Sequence, residues 1–128
     1  MGIISFNARL QRLADQQPDA VAITCGEASV TRAELQRRAG NLAMWLAERG
    51  VRERQMVTIA APNSIDWFIA YCAAWRLGAV PQPISSRLPQ REIDAIMELA
   101  NPSAVVGVPE GSIEGRVCVP MGFRAPSA

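Results

Sequence analysis

The chain has 128 residues, 49% of them hydrophobic, with a formal net charge of +1; this suffices for one compact domain with a core and offers no electrostatic footprint for nucleic acid or an anionic membrane. It contains no His, and all 13 of its basic residues are Arg. That removes an imidazole ligand or base, a Schiff-base Lys and the phosphate-binding Lys of a Walker loop, and with them most hydrolase, metal and NTPase chemistries.

Phe6, Leu10, Leu13 and Ala14 fall at helical spacing behind Ser5, a candidate N-cap, and predict a short amphipathic helix broken at Pro18-Asp19. Residues 20–25 alternate, with Val21 and Ile23 on one side, and Gly26-Glu27 leads into Ser29-Val30, so a small hairpin turning at Gly26 follows. Thr31-Arg32-Ala33-Glu34 has the form of a capping box, in which the Thr hydroxyl accepts from the Glu34 N–H and the Glu carboxylate reaches back to the Thr amide. Leu35, Ala39, Leu42 and Leu46 then line one helical face through to Arg49, with Gly50 as a left-handed stop. Thr31 and Glu34 punctuate a helix and receive no catalytic role.

Residues 56–61 form a continuous apolar run, the pattern of a strand buried on both faces in a parallel sheet. Parallel strands need crossover helices, and Ile65, Phe68, Ile69, Cys72, Ala73 and Leu77 supply the stripe of one, ended by Gly78. Its other side carries Trp67, Tyr71, Ala74 and Trp75, so this helix expects protein on more than one side. The helical spacing of Trp67, Tyr71 and Trp75 makes them packing residues rather than a base-stacking platform. Residues 79–84 predict a third strand, which Pro81 and Pro83 push toward an edge. Ser85-Ser86-Arg87-Leu88 is a loop, Pro89 opens a helix that buries Ile93, Ile96, Met97 and Ala100, Asn101-Pro102 stops it, and residues 104–108 make a fourth strand. Strand and helix alternate, so the fold class is α/β: a mostly parallel sheet with flanking helices.

Beyond Pro109 the sequence gathers Gly, Pro and Ser around one apolar run at residues 117–119. The domain division is therefore 1–108 for an α/β subdomain and 109–128 for a truncated linker toward the missing remainder of a larger protein. The Gly-containing stretches between Gly107 and Gly115 carry Glu110 and Glu114, which argues for loop composition against phosphate binding. Cys25, Cys72 and Cys118 are scattered and odd in number, the pattern of free thiols in a reducing cytosol. Arg9 and Arg12 interrupt any signal-peptide core, and no segment has the roughly 20 apolar residues of a membrane span, so a cytoplasmic location is expected.

The order of these elements resembles the amino-terminal part of the AMP-forming acyl-CoA synthetases, the adenylate-forming family that also includes nonribosomal adenylation domains. Val30-Thr31-Arg32-Ala33-Glu34-Leu35 is similar to the family's first core motif, with Arg32 at its aromatic position. Pro62-Asn63-Ser64 resembles its strand-and-turn, and the run from Ala73 through Trp75-Arg76-Leu77-Gly78-Ala79-Val80 to Pro81 resembles its second core motif. Ser86-Arg87-Leu88-Pro89 with Glu92-Ile93 is similar to the Pro-Arg-Leu-x-x-x-Glu-Leu stretch of acyl-CoA ligases, with Ser86 where Pro usually stands.

The resemblance implies a fold that is part of the large N-terminal domain of adenylate-forming enzymes. It also implies a two-step reaction for the parent: ATP, Mg²⁺ and a carboxylic acid give an acyl-adenylate and pyrophosphate, then coenzyme A displaces AMP. The acid is expected to be fatty, steroid-like or aryl. Arg87 is implied as a cofactor-binding residue, near a coenzyme A phosphate. The family's phosphate loop, its aromatic-Gly-x-Thr-Glu motif, its ribose-binding Asp and its catalytic Lys have no match here, so no catalytic or metal residue is assigned and none of the cofactors is expected to bind this chain tightly. Two other readings stand beside this one: a noncatalytic scaffold or interaction domain, and a nonribosomal adenylation fragment, disfavoured because Pro81-Gln82-Pro83-Ile84 and the following Ser85-Ser86-Arg87-Leu88 follow the ligase pattern. Self-association through an exposed apolar helix, Ile65–Leu77, is a further expectation.

Overall fold

A computed structural model describes residues 6–127; the expected N-cap Ser5 lies outside the described residues. Helix α1 spans Phe6–Gln16, and strands β1 (Val21–Cys25) and β2 (Ala28–Thr31) form the antiparallel hairpin about Gly26, whose φ is +61°. The ladder shifts register between Val21 and Ile23, and Val21 is left exposed.

Helix α2 (Arg32–Glu48) starts as expected, with Thr31 Oγ1 accepting the Glu34 N–H at 3.1 Å. The reciprocal half of the capping box gives way to an ion pair: the Glu34 carboxylate binds the Arg37 guanidinium at 2.6 Å, one turn along the exposed face. Leu35, Ala39, Leu42 and Leu46 are all buried.

The main sheet is four-stranded and parallel throughout, in the order β4-β3-β5-β6, with β3 at Met56–Ile59, β4 at Val80–Pro83, β5 at Ala104–Val106 and β6 at Val117–Val119. Helix α3 (Ile65–Leu77) connects β3 to β4, and α4 (Gln90–Ala100) carries the return from β4 to β5. Val80 and Ile84 donate their N–H groups to the carbonyls of Gln55 and Ile59 at 2.8 and 2.9 Å. Pro81 and Pro83 alternate with those donors, so their missing N–H groups face the free edge and blunt it. Val57, Ile59, Ala104, Val106 and Val119 join α2 and α3 in one apolar core, whereas Val105, Cys118 and Met97 of α4 are buried outside it. Of the face expected for α4, Met97 is fully buried; Ile93, Ile96 and Ala100 are half-covered.

Two expectations are corrected. The segment expected to be a linker contains a strand that the sequence reading did not assign: β6 extends the sheet beside β5, because the apolar run 117–119 has an open parallel edge to pair with. The segment beyond it returns to α2 and α3, where Phe123 packs on Trp45 with ring centroids 4.7 Å apart. Helix α3, expected to leave an apolar face exposed, is covered over most of its surface, with Phe68 left exposed. Ile69, Ala70, Cys72, Ala73 and Ala74 are buried, and Trp67, Tyr71 and Trp75 are half-covered, since α1, α2 and the hairpin pack on the side away from the sheet.

Candidate functional site

Open parallel sheets bind ligands outside the carboxyl ends of their strands. At that end β3 runs into Pro62-Asn63-Ser64, where Ser64 Oγ donates to the Pro62 carbonyl at 2.9 Å and accepts the Trp67 N–H at 3.2 Å. One hydroxyl thus closes the turn and caps α3. The neighbouring strand β4 runs into Ser85-Ser86-Arg87, where Ser85 Oγ accepts the Arg87 N–H at 3.1 Å.

Between these two turns lies a cleft of about 370 Å³, with Pro62, Pro83, Ile84 and Trp67 as apolar walls and Asn63, Ser85, Ser86 and Arg87 as its polar lining. No carboxylate lines it. Arg87 is exposed, and its guanidinium has no protein partner among the described residues. Other arginines are engaged: Arg38 and Arg124 share Asp66, and Arg116 donates to the carbonyls of Met97 and Pro102 at the end of α4. A free guanidinium beside apolar walls and two hydroxyls is suited to an anion attached to a flat or apolar body.

The tip of β5 is set by Gly107, whose φ is +97° and whose Cα lies so close to β3 that an added Cβ would sit 2.8 Å from the Ala61 nitrogen. Only Gly tolerates both conditions. The Gly107 N–H donates to the Val119 carbonyl at 2.7 Å, so this residue ties β3, β5 and β6 at the ligand-facing end.

The expected Arg87 therefore lies at a strand's carboxyl end, in a cleft. Sequence reasoning did not assign Asn63 or Trp67 to that cleft; the Pro62-Asn63-Ser64 turn was the available signal, while the helical spacing of Trp67 pointed to packing, which it also does. The cleft lining holds no general base that could activate the Ser85 or Ser86 hydroxyl as a nucleophile. Cys72 is buried within α3, and burial pushes its thiol up to about 11, against a smaller opposing effect of Arg76; it is inert at neutral pH. Among the described residues no cluster of Cys, Asp or Glu side chains is placed to hold a metal ion, and no helix is long and apolar enough to cross a membrane.

A parallel sheet with crossover helices, a tight Gly-anchored carboxyl edge and a cationic cleft there define the class, an α/β domain of the open parallel-sheet kind. The family model described as AMP-binding enzyme matches residues 10–121, and the chain belongs to this family of adenylate-forming enzymes. Tyrocidine synthase 3 of Brevibacillus parabrevis is 34% identical over 85 residues, covering 66% of this chain and 1% of that protein. The olefin beta-lactone synthetase of Xanthomonas campestris pv. campestris is 26% identical over 126 residues, covering 90% of this chain and 23% of that protein. The chain thus spans a small part of the relatives it matches. Among solved structures, Klebsiella oxytoca NpsA in complex with 3-hydroxyanthranilyl-AMSN superposes with a TM-score of 0.80 at 20% identity, over 94% of this chain and 25% of that one. A benzoate CoA ligase from Burkholderia xenovorans LB400 superposes with a TM-score of 0.76 at 23% identity, over 81% and 21%. These likenesses show the fold, that of the N-terminal domain of adenylate-forming enzymes.

Proposed function

We propose that this chain is the N-terminal part of a cytoplasmic AMP-forming acid–thiol ligase, which activates a carboxylic acid with ATP and passes the acyl group to coenzyme A. The observation that carries the choice of acceptor is the free Arg87 guanidinium in a carboxylate-free cleft at the end of β4. A phosphate of the coenzyme A nucleotide is the anion that suits it. Coenzyme A, when bound, would supply the thiol nucleophile; Arg87 would hold and orient its nucleotide end, with Asn63, Ser85 and Ser86 offering further polar groups. The residues of this chain do not fit the adenylation centre itself: there is no Lys, and no acidic cluster is present among the described residues to hold Mg²⁺. No step of adenylation is therefore assigned to them.

A second reading, a nonribosomal adenylation domain whose acceptor is a carrier-protein thiol, is favoured by the likeness to tyrocidine synthase 3 and to NpsA. Acid-dependent ATP–pyrophosphate exchange on the full-length gene product, with fatty, steroid and aryl acids, tests the shared first step. Thioester formation with coenzyme A then separates the acceptors. In the ligase, Arg87→Ala raises the KM for coenzyme A on the order of tenfold more than the KM for ATP. Transfer only to a carrier protein overturns the ligase in favour of the second reading, and no exchange with any acid points to a noncatalytic scaffold. Self-association through α3 has Phe68 and the half-covered ridge Trp67, Tyr71 and Trp75 to work with; a monomer at every concentration in analytical ultracentrifugation removes it.

A further inference from the structure

We infer that Trp67 is the wall on which the purine base of a nucleotide stacks while its phosphate reaches Arg87, an inference that rests on the reading of Arg87 given above. Three observations carry it. Trp67 lines the same cleft as Arg87, whereas Tyr71 and Trp75, which continue its aromatic ridge along α3, do not. The indole is already fixed: Tyr71 packs on it with centroids 4.4 Å apart and planes 31° from parallel, and Phe68 meets it edge-on at 5.0 Å. A ring held in this way loses little conformational freedom when a second flat group covers it. Its indole N–H donates to no protein group among the described residues, so a hydrogen-bond donor is left free at the site.

The remaining walls, Pro62, Pro83 and Ile84, are apolar, and the cation lies in the loop after β4. This places apolar, aromatic and cationic groups together, the division of chemistry that a base and a phosphate require. A free inorganic anion would use Arg87 and have no need of Trp67.

The test is isothermal titration calorimetry on the full-length gene product, with adenosine 3′,5′-bisphosphate and with inorganic phosphate as probes. Trp67→Phe keeps a ring, and Trp67→Leu keeps apolar bulk without one. The inference expects Trp67→Leu to weaken adenosine bisphosphate on the order of tenfold, with Trp67→Phe close to the parent and phosphate binding unchanged in both. Equal affinity of all three proteins for the nucleotide, or equal loss of both probes in Trp67→Leu, overturns the stacking role; the reading of Arg87 survives if Arg87→Ala still weakens the nucleotide. Nucleotide binding that is absent, or indifferent to Arg87→Ala, overturns both.

Discussion

The Asp66 carboxylate accepts the backbone N–H of Gly122 at 2.8 Å, across 56 residues of sequence. Its other oxygen receives Arg38 at 3.3 Å and Arg124 at 3.1 Å. A single side chain in the first turn of α3 thus fastens the segment after β6 and neutralises part of the charge of two arginines. Burial lowers the Arg38 guanidinium from its ordinary value, and the neighbouring Arg124 acts in the same direction, while Asp66 opposes both. Asp66→Ala is expected to destabilise the domain by roughly 1–3 kcal/mol, because it leaves a partly buried cation without its partner. Urea unfolding measures the loss, and limited proteolysis should cut first beyond residue 119. An unchanged midpoint and cleavage pattern would show that Phe123 on Trp45 holds the segment alone.

Gly107→Ala tests the carboxyl edge of the sheet. The substitution combines a positive φ with a Cβ forced against backbone, and the expected cost is on the order of 3 kcal/mol. Gly111→Ala, also at positive φ but with nothing within 4 Å of its Cβ, isolates the conformational part at about 1 kcal/mol. Equal midpoints for the two variants in chemical denaturation would refute the close approach of β5 to β3.

Thr58 is wholly buried in β3, and its hydroxyl donates to Gln82 Oε1 of β4 at 2.7 Å. Thr58→Val keeps the shape and leaves the amide oxygen without this donor, which should cost about 1 kcal/mol. A double-mutant cycle with Gln82→Met reads the coupling between β3 and β4 directly; a coupling near zero would mean that water satisfies Gln82 equally well.

The thiols give a pH prediction. Cys72 has its folded value raised from 9.0 to about 11 by burial, so the folded state holds the proton more tightly than the unfolded chain. Its contribution to stability is complete below about pH 9 and is lost as pH rises toward 11. Unfolding midpoints should therefore fall across that window, and Cys72→Ala should flatten the fall. At pH 8 iodoacetamide should label the half-buried Cys25 and spare Cys72 and Cys118; rapid labelling of Cys72 in the folded protein would contradict its enclosure.

Local signals accounted for the elements from the hairpin to β5. Thr31 and Ser64 before apolar stripes, and Gly26, Gly50 and Gly78 at positive φ, act through bonds and torsions spanning a few residues, so they are visible in the string. Pro81 and Pro83 marked β4 as an edge strand for the same reason: a missing donor is a property of the residue. The short run at 117–119 gives no period to read, and its pairing depends on an edge of β5 that exists only after the sheet has formed.

The candidate site divides along the same line. Arg87 was legible as a loop cation after a strand, and the sequence by itself determined its presence, the absence of His and Lys, and the helix and strand order that brings the chain back to one edge. Only the tertiary structure decided that Asn63 and Trp67 share a cleft with Arg87, that α3 is covered over most of its surface by the rest of the chain, and that Asp66 reaches Gly122. Capping and periodicity are local free energies, whereas clefts and clasps arise from the register of parallel strands and the packing of helices across them, which no single segment encodes.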